Sequence, residues 1–249
     1  MTIDPSTLEF EITGAEPPAD VVIAGFSQFG LAGLTAVDYL VDHLDLTERG
    51  RVEVRGLPTI TPFADGRPRH HTRLFSRDDL DVTVMAGELF VPADAARPFS
   101  DAVRSWVEDE GAEEVAVLSG TPVPHGPDEH RTFCVGTEDY RDHRLADADV
   151  PAMDNGFLEG VSGALVGRGM DTDLGVGVLL TPVHQQPPDV EAAVRLVETV
   201  ADLYDLPVDV GPLGSFADEL SRYYADLQER LQAEADRDDR SFPEDRMFM

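Results

Sequence analysis

The stretch VVIAGFSQFGLAGLTAVDYLVDHL, residues 21–44, decides the fold of this chain. Residues 21–26 form a continuous apolar run, which is typical of a β-strand buried on both faces. From Gly30 to Leu44 the apolar residues recur at helical spacing. The stretch therefore predicts a buried strand, a glycine-containing turn and a helix, which is the repeating unit of layered α/β proteins.

The same alternation of strands and helices continues along the chain. Strands are predicted at 8–12, 51–57, 59–63, 71–77, 80–89, 113–120, 131–137 and 174–183. Helices are predicted at 97–111, 157–170 and 189–206. Segments 71–77 and 80–89 are expected to pair with each other across the acidic turn DDLD. We predict a layered α/β fold with a mostly parallel central sheet and flanking helices.

The C-terminal part of the chain is predicted to be separate from an α/β core domain at residues 1–213. A helix is expected over 214–236, with Ser215 as its N-cap. Its apolar stripe consists of Phe216, Leu220, Tyr223, Leu227 and Leu231. Such a narrow stripe can dock on the core or pair with another subunit, and the spacing does not decide between them. Residues 237–249 have no periodicity and are predicted to form a flexible tail.

Charge restricts the possible partners and chemistry. The chain has 19 basic and 49 acidic residues, a formal net charge of −30 and no lysine. Nucleic acid and anionic membranes are excluded as partners, because their phosphates would be repelled. Without lysine there is neither a Walker A phosphate loop nor a Schiff base. The acidic surface suits a salt-rich cytoplasm, since the Debye length is only about 3 Å at 1 M salt.

The sequence contains no apolar run of 18 residues, and its first residues lack the basic and apolar regions of a signal peptide. We expect a soluble, cytoplasmic protein without a membrane partner. The single Cys134 excludes an internal disulfide and a cysteine-based zinc cluster.

Two glycine-rich segments form the candidate pocket. The residues concerned are Gly25, Phe26, Ser27, Gly30 and Gly33 in the first segment, and Gly160, Ser162 and Gly163 in the second. Glycines between a strand and a helix can admit a phosphate at the helix N-terminus. They can equally let a helix pack closely against a sheet. Ser27 does not match a GxSxG nucleophile elbow, because position 29 is Phe.

The histidines do not form a recognisable metal motif. His125 and His130 lie in the loop segment HGPDEH, close to carboxylates. Zinc could use these donors, but their spacing does not match the helical HExxH pattern and no third ligand can be assigned. No catalytic residue, metal site or cofactor is predicted.

The last three residues, Met247, Phe248 and Met249, follow a polar, acidic segment. Two apolar side chains beside an α-carboxylate are the components of a C-terminal docking peptide. The alternative is a frayed end without a partner.

Taken together, the segments at 21–44 and 154–209 resemble the archaeal branch of the proteasome assembly chaperone 2 family, and the resemblance covers residues 8–235. The first motif is matched at Gly25, Phe26, Gly30, Leu31 and Gly33. The second is matched at Gly160, Ser162, Gly163 and the helix start at 188–193.

The resemblance implies a nucleoside-phosphorylase-like fold without that fold's catalytic groups. It also implies a non-enzymatic homo-oligomer that docks on the α-ring of the 20S proteasome. The family's docking element is a C-terminal hydrophobic–tyrosine–any tripeptide, and Met247, Phe248 and Met249 occupy the matching positions, with Phe248 in place of tyrosine. The alternative is an enzyme that processes nucleosides or joins carboxylates to amines with ATP, using a pocket at Gly25–Gly33.

Overall fold

The structure, a computed structural model, describes residues 8–14, 19–57, 61–126, 129–184, 188–215 and 217. The strands are β1 (Glu9–Thr13), β2 (Val21–Phe26), β3 (Thr47–Arg55), β4 (Phe63–Ala64), β5 (Arg67–Pro68), β6 (Thr72–Ser76), β7 (Val82–Gly87), β8 (Glu114–Thr121), β9 (Phe133–Gly136) and β10 (Gly175–Pro182). The helices are α1 (Ala32–His43), α2 (Ala93–Glu110), α3 (Glu138–Arg144), α4 (Gly160–Gly169) and α5 (Val190–Leu203).

Eight of these strands form one mixed sheet in the order β1-β3-β6-β7-β2-β8-β10-β9. The four central strands, β7, β2, β8 and β10, are parallel to one another. The remaining neighbours pair antiparallel. The α/β class is confirmed, but the prediction of a mostly parallel sheet is wrong, because only three of its seven strand pairs are parallel.

A short connection explains one of the antiparallel pairs. Strands β6 and β7 form the predicted hairpin, and only residues 77–81 separate them. A parallel neighbour would need a crossover of a dozen or more residues. Of the strand predicted at 59–63, residues 61 and 62 are not in a strand and Phe63 begins the two-residue β4. Residues 58–60 lie outside the described part of the chain.

Two helical layers cover the sheet. Helices α1 and α5 pack on one face, where Ile23, Leu40 and Leu196 are fully buried. Helices α2 and α4 pack on the other face, where Val22 of β2 and Phe99 of α2 are fully buried. Successive residues of β2 thus enter opposite cores, and the apolar run at 21–26 is buried on both faces as predicted.

Helix α3 is an element that the sequence analysis missed, because its seven residues, EDYRDHR, contain one apolar side chain and no helical stripe. A buried polar network holds it near the start of β8. The carboxylate of Glu114 accepts hydrogen bonds from Arg144 Nε, at 3.1 Å, and from the Tyr204 hydroxyl, at 2.5 Å. The guanidinium also compensates the buried charge.

Beyond α5, the chain returns to the core. Leu213 and Ala217 are buried in the core that contains α1 and α5. The rest of the helix predicted at 214–236 and the whole tail at 237–249, including Met247, Phe248 and Met249, lie outside the described residues. Among the described helices, none has the length and apolar content that a membrane span requires.

Candidate functional site

The candidate site lies along the carboxyl edge of the four parallel strands, where open α/β sheets commonly bind their ligands. Residues 25–33 leave this edge at the end of β2, and residues 160–163 begin α4. The two predicted segments are close together: a Cβ atom on Gly160 would lie 3.8 Å from Gln28 Nε2. Gln28 Oε1 in turn accepts a hydrogen bond from Ser119 at the end of β8.

Close packing of α1 on the sheet fills the space beside Gly25 and Gly33. A Cβ on Gly25 would lie 2.2 Å from the Gly33 carbonyl oxygen. A Cβ on Gly33 would lie 2.0 Å from the Leu118 carbonyl oxygen. Real Cβ atoms do not approach backbone atoms this closely, so at these two positions the helix meets β2 and β8 backbone to backbone. At these two glycines there is no space for a ligand.

Gly30 has a different role, in the turn between β2 and α1. Its φ is +66°, a conformation that glycine adopts at little cost. Its carbonyl accepts a hydrogen bond from the Asp189 backbone N–H at 2.8 Å. An added Cβ would lie 3.0 Å from the Val183 Cβ. Gly30 therefore lets the turn pack against the segment between β10 and α5.

The other predicted pocket residues are mostly engaged in packing or hydrogen bonds. Phe26 packs edge-to-face on Phe99, with ring centroids 5.5 Å apart. The Ser27 hydroxyl donates to the Glu88 carbonyl at 3.0 Å. A Cβ on Gly163 would lie 2.3 Å from the Leu158 carbonyl oxygen. The buried Ser162 hydroxyl is the exception, since it has no hydrogen-bond partner within the described part of the chain.

An ion-pair cluster follows the end of β7. The Glu88 carboxylate pairs with Arg69 at 2.9 Å and with Arg73 at 3.0 Å. Asp38 of α1 faces the same cluster, and burial raises its pKa to about 6 although Arg73 opposes the shift. Desolvation by the surrounding helix and sheet therefore outweighs the nearby positive charge.

Three histidines meet at the same edge, next to the Gly30 turn. His125 follows β8, His130 precedes β9 and His184 follows β10. Their ring centroids are 5.0, 5.1 and 5.4 Å apart, and one potential ligand atom from each lies within 4.8 Å of the others. The sequence analysis found the first two residues but could not assign His184, which lies 54 positions after His130.

Two of the three imidazoles have their orientation set by hydrogen bonds. His125 Nδ1 lies 2.7 Å from the Val123 carbonyl oxygen. His184 Nδ1 lies 2.9 Å from Asp189 Oδ2. Asp189 also caps α5, because its Oδ1 accepts from the Ala192 N–H at 3.0 Å. The carboxylate that starts α5 thus also orients the His184 ring.

Exposed apolar side chains surround this edge. We call the set Phe29, Phe90, Val123 and Phe157 the apolar rim. Phe29, Phe90 and Phe157 are 57%, 65% and 98% exposed. Each residue follows the carboxyl end of a central strand or precedes α4. Large apolar side chains grouped on one side of a protein commonly mark an interaction surface.

The family of this chain is shown by its sequence, and the fold agrees with it. The chain belongs to the PAC2 family, whose sequence model matches residues 22–228. Its fold is that of proteasome-assembly-chaperone-like proteins. No curated protein matches the chain in a sequence comparison.

Solved structures share the fold across nearly the whole chain. Pyrococcus furiosus PbaA, an archaeal homolog of proteasome-assembly chaperone, has a TM-score of 0.80 and 22% identity over 94% of this chain and 97% of that one. Pyrococcus furiosus PbaB, an archaeal proteasome activator, has a TM-score of 0.76 and 19% identity over 89% and 99%. A PAC2 family protein from Streptomyces avermitilis has a TM-score of 0.62 and 19% identity over 83% and 95%. At these identities the likeness is one of fold.

The packing of Gly33 predicts a large loss of stability for Gly33→Ala. The new methyl group would collide with the Leu118 backbone, so we expect the free energy of unfolding to fall by about 2–3 kcal/mol. Gly167→Ala is the matched control, because it adds a methyl group to another helix with no described atom within 4 Å. It should leave stability unchanged or raise it by up to about 1 kcal/mol. Urea denaturation measures both, and equal effects would contradict the packing role.

The raised pKa of Asp38 predicts that the free energy of unfolding depends on pH. Its folded pKa of about 6 exceeds the ordinary value of 3.8, so the folded protein binds this proton more tightly than the unfolded chain. The resulting stability is fully present below pH 3.8 and is lost as the pH rises through about 6. Between pH 3.8 and about 6, the free energy of unfolding of the wild type should fall by about 2 kcal/mol relative to that of Asp38→Asn, allowing for partial exposure.

Urea denaturation of the wild type and of Asp38→Asn at a series of pH values measures this difference in the free energy of unfolding. A wild-type curve parallel to that of Asp38→Asn would show that burial of Asp38 carries no charge penalty.

Proposed function

We propose that this protein is a non-enzymatic assembly chaperone or regulator of the 20S proteasome. The observation that carries the proposal is membership of the PAC2 family over residues 22–228. The shared fold supports it, since structures similar to this chain include a homolog of proteasome-assembly chaperone and a proteasome activator. Fold likeness by itself does not assign a function, so the proposal depends on a direct binding test.

The proposed contact is between the last three residues, Met247–Met249, and pockets of the proteasome α-ring. The tripeptide combines two apolar side chains next to Phe248 with the α-carboxylate. Phe248 lacks the hydroxyl of a tyrosine, and the loss of one hydrogen bond costs about 0.5–1.5 kcal/mol, up to roughly tenfold in affinity. Several tails on one oligomer would offset such a weak single contact.

The proposed oligomer is a homo-oligomer that uses the apolar rim. Its exposed phenylalanines would be buried by a second copy of the chain. A net charge of −30 opposes self-association, so association should strengthen as salt screens the repulsion. The same charge argues against nucleic acid and membranes as partners. We propose the cytoplasm as the place of action.

The alternative, an enzyme with a nucleoside-phosphorylase-like pocket at Gly25–Gly33, receives less support from the geometry. Backbone contacts fill the space beside Gly25 and Gly33. The chain also has no lysine for phosphate binding. A ligand would have to bind beside Gln28, Ser119 and Gly160 instead.

Docking is tested with immobilised α-rings. The measurement compares how much of the full chain, and of a chain that ends at residue 246, the rings capture. We expect the truncation to abolish capture, because it removes all three apolar side chains and relocates the carboxylate. Phe248→Ala should weaken capture at least about tenfold, since a buried aromatic ring contributes a few kcal/mol. Phe248→Tyr should bind as well as the wild type or up to about tenfold better.

Phe242→Ala is the matched control, because it removes another phenylalanine of the same terminal segment and keeps the last three residues. Equal capture of the wild type and the truncated chain would remove the tripeptide from the mechanism. Absence of capture by the wild type at high salt would refute the proteasome as the partner.

Self-association is tested by replacing Phe29, Phe90 and Phe157 together with serine. We expect this variant to be monomeric in light scattering at concentrations where the wild type is oligomeric, since three exposed aromatic contacts are lost. Met170→Ser is the control, because Met170 is 71% exposed but lies at the opposite end of α4. A rim variant with the wild-type mass would show that a different surface forms the oligomer.

A further inference from the structure

We propose that His125, His130 and His184 form a mononuclear binding site for a transition-metal cation, with Zn²⁺ as the leading candidate. The site joins the loop between β8 and β9 to the segment between β10 and α5. It is independent of the proposed proteasome contact. The three residues come from separate parts of the sequence and meet only in the folded chain.

The spacing of the rings fits a tetrahedral metal. With metal–nitrogen bonds of about 2.0–2.1 Å, ring centroids lie about 3.2 Å from the metal and therefore about 5.2 Å from one another. The observed separations are 5.0, 5.1 and 5.4 Å. The candidate ligand atoms lie within 4.8 Å of one another, whereas bound nitrogens would be about 3.3 Å apart. Rotation of the rings, with little backbone movement, can close this difference.

The hydrogen bonds leave the correct nitrogens available. A carbonyl oxygen and a carboxylate only accept hydrogen bonds, so Nδ1 carries the proton in both His125 and His184. Their Nε2 atoms then keep free lone pairs with which to bind a metal. Metal-binding histidines usually donate their second ring N–H to a carbonyl or carboxylate in this way. Asp189 is thus a positioning residue for the site.

The donor set selects the class of metal. Imidazole nitrogens favour Zn²⁺, Co²⁺, Ni²⁺ and Cu²⁺, whereas Mg²⁺ and Ca²⁺ prefer oxygen ligands. Three protein ligands leave a fourth position for water or another oxygen donor. The many surface carboxylates of this chain would bind divalent cations weakly and without selectivity. Competition with Mg²⁺ therefore separates the histidine site from the acidic surface.

The experiment titrates Zn²⁺ into the chelator-treated full chain, with millimolar Mg²⁺ and a chromophoric competitor present. We expect one Zn²⁺ per chain with micromolar affinity or better. His130→Gln and His184→Gln should each bind at least about tenfold more weakly, because two imidazoles hold zinc poorly. His143→Gln, which removes an exposed histidine of α3, is the matched control and should bind as the wild type does.

Asp189→Asn tests the positioning role. Asparagine can still cap α5, but its amide NH₂ cannot accept the His184 N–H. We expect zinc affinity to fall about 10–100-fold. Because Asp189 Oδ2 also accepts the His184 backbone N–H at 2.7 Å, the melting temperature measured in chelator should fall as well, so affinities are compared at a temperature where the variant is folded. Unchanged zinc affinity in this variant would overturn the positioning role of Asp189.

Co²⁺ provides a second measurement that does not depend on folded variants. Bound Co²⁺ should show the intense visible absorption of a tetrahedral complex in the wild type, and addition of Zn²⁺ should abolish it. Three results would each overturn the proposed site. Bound Co²⁺ could show no more than the weak absorption of an octahedral complex, zinc binding could be lost completely in Mg²⁺, or His143→Gln and His184→Gln could bind zinc equally well.

Discussion

The contact between α1 and the sheet at Gly25 and Gly33 is the constraint on which the rest of the structure depends. Backbone meets backbone there, with no space for even a methyl group on either glycine. Because α1 lies so close to β2 and β8, the Gly30 carbonyl in the preceding turn can accept a hydrogen bond from the Asp189 backbone N–H. The start of α5 and the loops at the carboxyl edge are then positioned relative to that turn. Glycines between a strand and a helix can indicate a phosphate site, but in this chain Gly25 and Gly33 allow the helix to pack closely on the sheet.

The carboxyl edge carries three distinct chemical regions. One is the ion-pair cluster around Glu88, where Arg69 and Arg73 share a carboxylate. Another is the histidine triad beside Asp189. The apolar rim surrounds them. Exposed phenylalanines beside loops held by directed hydrogen bonds give this edge the features of an interaction surface.

Family membership and these local features answer different questions. The PAC2 match establishes the family, and the structural relatives establish the fold. At identities near 20% they do not transfer residue roles to this chain. Those roles have to come from the chain's own geometry, which is why the rim, the triad and the terminal tripeptide each have a separate test.

The sequence alone determined the α/β class, the buried run at 21–26, the hairpin of β6 and β7, and the helices α1, α2, α4 and α5. These follow from local periodicity and short loops, which a single sequence displays directly. Only the tertiary structure decided which strands are neighbours, whether Gly25 and Gly33 form a pocket or a contact, and that His184 joins His125 and His130. The reason is physical: strand order and long-range contacts depend on how distant segments pack, and residues 54 positions apart share no local pattern.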